Sequence, residues 1–296
     1  MDQEIDEGAV AALSAAIGRW DQGATCLAAL AVTAGADATT PLVAAAREVL
    51  AAAGLADALN AQLPFSTVQL RGMVASPLLQ AAALVDGSDP GWDERSDSTL
   101  AAQGHASGSA AVLFTRFVLP HFPDLAERLA RPGARMLDVG TGIGALAVGY
   151  AQTFPHLHVT GIDVMPRVLE LAREGLGTGP LASRVELRYQ DVAELTDEAC
   201  YDLAWIPAPF VPGPALSDGI ARMVVALRPG GMLVIGHGTL DGTDLQNAVT
   251  RFKTISYGGT ALDGPSAQEL LTEHCLTSVQ TVATPPGAPA MTVGRR

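Results

Sequence analysis

The sequence predicts an α/β fold: a mostly parallel sheet of seven strands covered by helices on both faces, preceded by an all-helical domain. Three observations predict it. Strand-like and helix-like patterns alternate from about residue 131 to the C-terminus. Residues 1–130 carry helical periodicity only. Between the first strand and first helix of the alternating half stands a glycine-rich turn, 135-RMLDVGTGIGALAV-148.

In the first half, residues 9–20, 40–59 and 66–85 place apolar side chains three and four apart, the spacing of one helix face. Thr39 and Thr40 before Pro41 form a helix start with proline in the first turn. Residues 86–98, DGSDPGWDERSDS, read as the clearest loop. A further helix over 111–122 breaks near Pro120 and Pro123. Pro132 and Gly133 mark the expected boundary between a helical domain, 1–130, and the alternating domain, 131–296.

In the second half the strands are expected at 135–140, 156–163, 184–191, 201–207 and 232–238. The helices between them fall at 143–155, 165–177 and 215–231. Two closing strands, TSVQTVATPP and APAMTVGRR, are joined by a Pro/Gly turn and add an antiparallel edge.

Composition narrows the function. Hydrophobic residues make up 48% of the 296 and charged residues 17%, enough to build a sizeable core. The net charge of −13 argues against nucleic acid and against an anionic membrane as partners. The acidic N-terminus is unlike a secretory signal, and no run reaches the ~18 apolar residues of a bilayer span. Cys26, Cys200 and Cys275 are odd in number and lack metal spacing, so free thiols in a reducing cytoplasm and no metal are expected.

The turn carries the chemistry. Gly140, Gly142 and Gly144 fall where a tight turn and a close ligand need absent side chains. Gly140, Gly142 and Ala145 also satisfy a dinucleotide pattern, yet Asp138, two residues ahead, would repel a pyrophosphate. A ligand bearing cationic groups and no phosphate suits that carboxylate better.

LDVGTGIGALA resembles motif I of class I S-adenosylmethionine-dependent methyltransferases, whose sheet is Rossmann-like. VTGIDVMPRVLELAR resembles the second motif, VELRYQDVAEL the third, and ALRPGGMLVIGHG the turn and fifth strand of that family. The resemblance implies S-adenosyl-L-methionine as cofactor, held by Asp138, Gly140, Thr141, Gly142 and Gly144, by Asp163 and Val164, and by Gln190, Asp191 and Val192. Asp163 would take both ribose hydroxyls, Asp191 the adenine amino group, and Val192 the ring face.

A helical front domain resembles that of small-molecule methyltransferases of bacterial secondary metabolism, where it forms a homodimer interface and a roof over the substrate. Residues 98–122 would be the roof segment adjoining the core. The histidine that related oxygen methyltransferases carry after the fourth strand is missing from YDLAWIPAPFVPG. Trp205, Pro207 and Phe210 would there form an aromatic substrate wall, although Trp205 equally suits the sheet core. His237, after the fifth strand, and His105, in the roof, are the candidate bases.

The expected reaction is in-line methyl transfer to a small organic acceptor. Two alternatives stay open: a lyase or cyclase attacking the aminocarboxypropyl arm to release methylthioadenosine, and a non-catalytic binding protein.

Overall fold

The computed structural model describes residues 6–36, 40–57, 61–85 and 91–296; Thr39 and residues 86–90 of the expected loop lie outside them. The N-terminal helices are α1 (Glu7–Thr33), α2 (Pro41–Ala52), α3 (Thr67–Val85), α4 (Asp97–Ser107), α5 (Ser109–Leu113) and α6 (Pro123–Ala130). Thr40 caps α2 by accepting from Val43 N at 3.3 Å, with Pro41 at the first helical position. Between α5 and α6 the expected 111–122 helix runs through a π turn, Phe114–Val118, and a 3-10 turn, Leu119–His121, which accommodates Pro120.

The sheet contains β1 (Arg135–Val139), β2 (His158–Asp163), β3 (Val185–Tyr189), β4 (Tyr201–Pro207), β5 (Leu227–His237), β6 (Thr277–Val282) and β7 (Ala290–Arg295). Its order is β3-β2-β1-β4-β5-β7-β6. The first five strands run parallel, and β7 lies antiparallel between β5 and β6. The reversed strand is thus interior, and β6 forms the edge. The helices between strands are α7 (Ala145–Thr153), α8 (Pro166–Leu176), α9 (Gly213–Ala226), α10 (Asp244–Ser256) and α11 (Gly264–Glu273).

Two expected boundaries move for local reasons. The 215–231 helix ends at Ala226, and Leu227–Gly231 joins β5. Pro229 cannot continue a helix, and Gly230 has φ +75°. The helix expected from 143 begins at Ala145, because Gly144 takes a left-handed conformation, φ +74°.

Strand alternation sorts the sheet into two cores. Met136, Leu203, Trp205, Met232 and Val234 pack on one face, and Leu137, Val139, Ala204, Ile206, Leu233 and Ile235 on the other. The first core also takes Leu113, Phe114, Val118, Leu125 and Leu129, so the segment 110–129 shares its core with the sheet. Further forward, Ala29, Ala46 and Leu50 make a separate small cluster.

The strand N-termini are braced by Asp202, which is 4% exposed. It pairs with Arg228 at 2.6 Å and accepts from Arg135 N at 3.0 Å. That leaves the opposite end of the sheet for a ligand, with the topological reversal between β1 and β4.

One expectation about membranes is corrected. Thr67–Val85 is long and apolar enough, by length and composition, to cross a bilayer. Arg71, Gln69 and Gln80 interrupt the run, which hid it in the sequence. In the fold α3 packs along α4, and a polar chain joins them. Ser76 Oγ donates to Gln103 Oε1 at 2.7 Å, and Gln80 Nε2 donates to both, at 2.6 and 2.9 Å.

Glycines make room for large side chains across the core. A β-carbon at Gly236 would come within 2.5 Å of Trp205 Cζ2, and one at Gly219 within 2.7 Å of Val192 Cγ1. Gly236→Ala is therefore expected to destabilise the protein by about 1–3 kcal/mol, because the buried indole has to leave its rotamer. Urea unfolding of the variant against the wild type checks this.

Candidate active site

The site is built at the C-terminal ends of β1, β2 and β4. After β1 the chain turns through Gly140 (φ +64°), Gly142 (φ +54°) and Gly144 (φ +74°), three left-handed residues on alternate positions. A β-carbon at Gly140 would sit 3.5 Å from Pro207 Cγ, so the end of β4 closes on the loop there. At Gly142 a β-carbon would meet nothing within 4 Å, which leaves bare backbone open to a ligand.

Two carboxylates hold this turn. Asp138, 2% exposed, accepts from Thr141 Oγ1 at 2.7 Å. Thr141 N donates to Ile162 O at 3.1 Å, and its side chain occupies the space over Gly161, where a β-carbon would come within 2.6 Å of Oγ1. Asp163, 9% exposed, accepts from Gly142 N and from Met165 N, both at 2.9 Å. Burial pushes Asp138 up to about 7, and the charge of Asp163 adds to that against the Thr141 hydrogen bond. Burial also raises Asp163, while its backbone donors pull it back.

These contacts revise the role expected of Asp138. The carboxylate braces the loop from within instead of presenting a charge at the surface. Asp163 remains suited to a ligand: backbone N–H groups orient both oxygens, and a carboxylate's four lone-pair sites leave capacity for a hydroxyl. Beside it Val164 is 56% exposed, an apolar face next to a pair of acceptors. The set fits a nucleoside bearing vicinal hydroxyls.

The third expected segment divides. Gln190 N donates to Asp163 O at 3.0 Å, which brings the end of β3 to the same place. Asp191 is exposed and accepts from Ala193 N at 2.9 Å. Val192, expected over the adenine ring, is 6% exposed and packs in the core against Gly219.

The expected substrate wall and bases change more. Trp205 is 5% exposed and belongs to the core over Gly236, so it does not line the cleft. Its strand is buried on both faces, and position 205 falls on the face packed with Met136, Leu203 and Val234. His237 is 1% exposed and both ring nitrogens are engaged, Nδ1 with Gly238 O and Nε2 with Thr292 Oγ1, each at 2.8 Å. It ties β5 to β7 and is held neutral by burial, which lowers its pKa. His105 is half-buried on α4 and lines a groove of about 280 Å³ with Val68, Arg71, Gly72, Ala75 and Ala101.

Phe210 does face the space beyond β4, among residues the sequence had not singled out. Its ring stacks on Tyr257 at 5.1 Å and 10°, and Trp92 meets it edge-on at 5.3 Å. The turn after α10 docks on residues 208–211 through Thr260, whose N–H donates to Ala208 O at 2.8 Å and whose hydroxyl donates to Val211 O at 2.8 Å. Trp92 Nε1 donates to Tyr257 O at 3.1 Å, and Arg95 lies 4.9 Å over the Trp92 ring. The only sequence signal was WDER, an aromatic and a cation inside an otherwise polar loop.

The roof contacts the loop through small residues. A β-carbon at Gly104 would collide with Ile143, and one at Gly108 would come within 3.2 Å of Ala145 Cβ. Arg167, in the first turn of α8, donates to Arg95 O at 3.0 Å and pairs with Asp97 at 2.5 Å. The segment 92–97 thereby straps the roof to the helix that follows Asp163.

The raised Asp138 has a signed consequence. A carboxyl whose folded pKa lies near 7, against 3.8 as its ordinary value, stabilises the fold below pH 3.8 and loses that contribution as pH rises to about 7. Asp138→Asn is expected to flatten the fall of stability between these two values, as measured by urea unfolding at a series of pH.

Comparison with known proteins places this geometry. Residues 136–231 match the family model described as a methyltransferase domain. A demethylmenaquinone methyltransferase of Deinococcus radiodurans is 34% identical over 111 residues, 37% of this chain and 45% of that protein. A release factor glutamine methyltransferase of Rhodopirellula baltica is 30% identical over 116 residues, 39% of this chain and 38% of that protein. The chain thus spans less than half the length of these relatives. Among solved structures, human N-acetylserotonin methyltransferase in complex with S-adenosylmethionine superposes with a TM-score of 0.66 at 16% identity, over 100% of this chain and 99% of that one. The pyocyanin biosynthetic protein PhzM gives 0.62 at 18% identity, over 98% and 99%. At such identities the likeness is one of fold. Residues 136–231 thus match a methyltransferase domain, and the chain as a whole shares the fold of these solved structures, with a helical segment in front of the sheet.

Proposed function

We propose that this protein transfers a methyl group from S-adenosyl-L-methionine to a small organic acceptor by in-line displacement. The observation that carries the reading is Asp163, a buried carboxylate at the end of β2 with both oxygens oriented by backbone donors and acceptor capacity left for a hydroxyl. Gly140, Gly142 and Val164 supply the open backbone and apolar face beside it. The cofactor supplies an activated methyl group on a sulfonium. The protein's share is to hold the acceptor in line, exclude water and leave the acceptor's nucleophile facing the methyl.

With both ring nitrogens of His237 engaged and His105 half-buried in a groove of α3 and α4, positioning is the main contribution, and the acceptor group is one that reacts without a histidine base. The space beyond Pro207, bounded by Phe210, Tyr257 and Trp92, is the acceptor's place. Its aromatic walls support a small molecule of secondary metabolism over a macromolecule, and the net charge of −13 supports a partner that is neither nucleic acid nor membrane. Three free cysteines support a reducing, cytoplasmic setting.

Two apolar stripes stand exposed on helices, Val10, Leu13, Ile17 and Trp20 on α1, and Leu245, Val249, Phe252 and Ile255 on α10. They support a homodimer, because monomers seldom leave such stripes uncovered. Sedimentation is expected to show a dimer, and Leu13→Glu with Ile17→Glu to shift it to monomer.

Calorimetry tests the central reading. Wild type is expected to bind S-adenosylhomocysteine, and Asp163→Ala to weaken that binding by about 1–3 kcal/mol, the cost of leaving hydroxyls unpaired. No binding to the wild type overturns the reading. Product analysis is expected to give S-adenosylhomocysteine; methylthioadenosine would assign attack on the aminocarboxypropyl arm instead.

A further inference from the structure

Arg95 is the least expected residue in the cleft. It comes from a loop, yet it is 3% exposed. Its Nη2 donates to Ser256 O at 3.4 Å and its guanidinium lies over Trp92. Nε and Nη1 are buried without a hydrogen-bond partner, and among the described residues no carboxylate pairs with it. Asp97, two residues on, is taken by Arg167. Arg95 is thus a buried cation with unused donors and, among the described residues, no counter-ion.

A second orphan lies nearby. Gln80, 4% exposed on α3, uses Nε2 within the polar chain to Ser76 and Gln103, and its Oε1 has no partner. Both residues act on the Tyr257 phenol: burial raises it, while the charge of Arg95 and a hydrogen bond from Gln80 lower it. The two unpartnered groups therefore flank one ring of the Trp92–Phe210–Tyr257 cluster. That cluster continues toward the glycine loop, since Phe210 follows Pro207 by one short turn and Pro207 lies beside Gly140, where an added β-carbon would come into van der Waals contact with it.

We propose that Arg95 anchors the carboxylate of an aromatic acceptor, which lies against the Trp92–Phe210–Tyr257 cluster and presents its nucleophile toward Pro207 and Gly140. This deepens the methyltransferase reading and rests on it for the identity of the site. An acidic group satisfies the unused donors with charge-assisted hydrogen bonds. A neutral acceptor leaves the buried charge uncompensated. One arginine in a strap that also carries Asp93, Glu94 and Asp97 suits a single negative charge and opposes the double charge of a phosphate. A hydroxyl on the same ring finds its acceptor in Gln80 Oε1.

The test is a calorimetric titration of the full-length protein loaded with S-adenosylhomocysteine. The probes are a panel of mono- and bicyclic aromatic carboxylates, hydroxylated ones included, each paired with its neutral methyl ester. At least one acid is expected to bind, and to bind about tenfold or more tightly than its ester, the worth of one charge-assisted contact. Arg95→Met is expected to abolish that preference, and Arg95→Lys to keep part of it, with S-adenosylhomocysteine affinity unchanged in both. Acids and esters binding alike, no acid binding, or Arg95→Met keeping the preference each overturns the proposal. Loss of S-adenosylhomocysteine binding by the wild type instead overturns the methyltransferase reading, so the two failures are separate. Should Arg95→Met fail to fold, the acid–ester comparison on the wild type still decides.

Discussion

The Asp163 carboxylate joins the amide of Gly142 to that of Met165, and with these two bonds it fixes the glycine turn after β1 against the end of β2 and the start of α8. The neighbouring parts take their positions from that junction. Thr141 seats over Gly161 and reaches Asp138, Gln190 hangs from the carbonyl of Asp163, and Arg167 carries the order outward to the strap at 92–97. Burying a carboxylate is costly unless backbone donors meet it, and here they do. The same donors also leave it able to receive a ligand.

A second carboxylate does comparable work at the other end of the sheet. Asp202 gathers β1, β4 and β5 through Arg135 N–H and the Arg228 guanidinium, with Arg128 of α6 at 3.6 Å. The sheet is thus tied at its closed end by a buried ion pair and at its ligand end by a carboxylate among amides. Between them lie two apolar cores separated by strand alternation alone.

Much of this architecture is legible in the sequence because it is local. The glycine spacing, the aspartate at the end of β2, and the alternation of strand and helix patterns are written in short stretches, and each survives in the fold. What the sequence conceals depends on residues far apart. His237 looks available until Thr292, 55 positions later, takes its Nε2. Trp205 looks like a wall until Gly236, on the neighbouring strand, is seen to make room for its ring inside the core. Arg95 and Tyr257 meet across about half the chain, and no periodicity relates them. Cofactor loops are read from neighbours in sequence, whereas acceptor pockets are assembled by topology, which is why the first were visible and the second were not.

The glycines opposite Trp205, Thr141, Val192 and Ile143 share one feature: each leaves a space shaped by a single partner side chain. Such a pair is one unit divided between two segments of the chain. Enlarging the glycine creates an overlap that trimming its partner relieves, so the energies of the two changes do not sum. The four pairs behave as thermodynamically coupled positions within a core whose other residues are expected to respond independently, and redesign of the cleft has to treat each pair as a single choice.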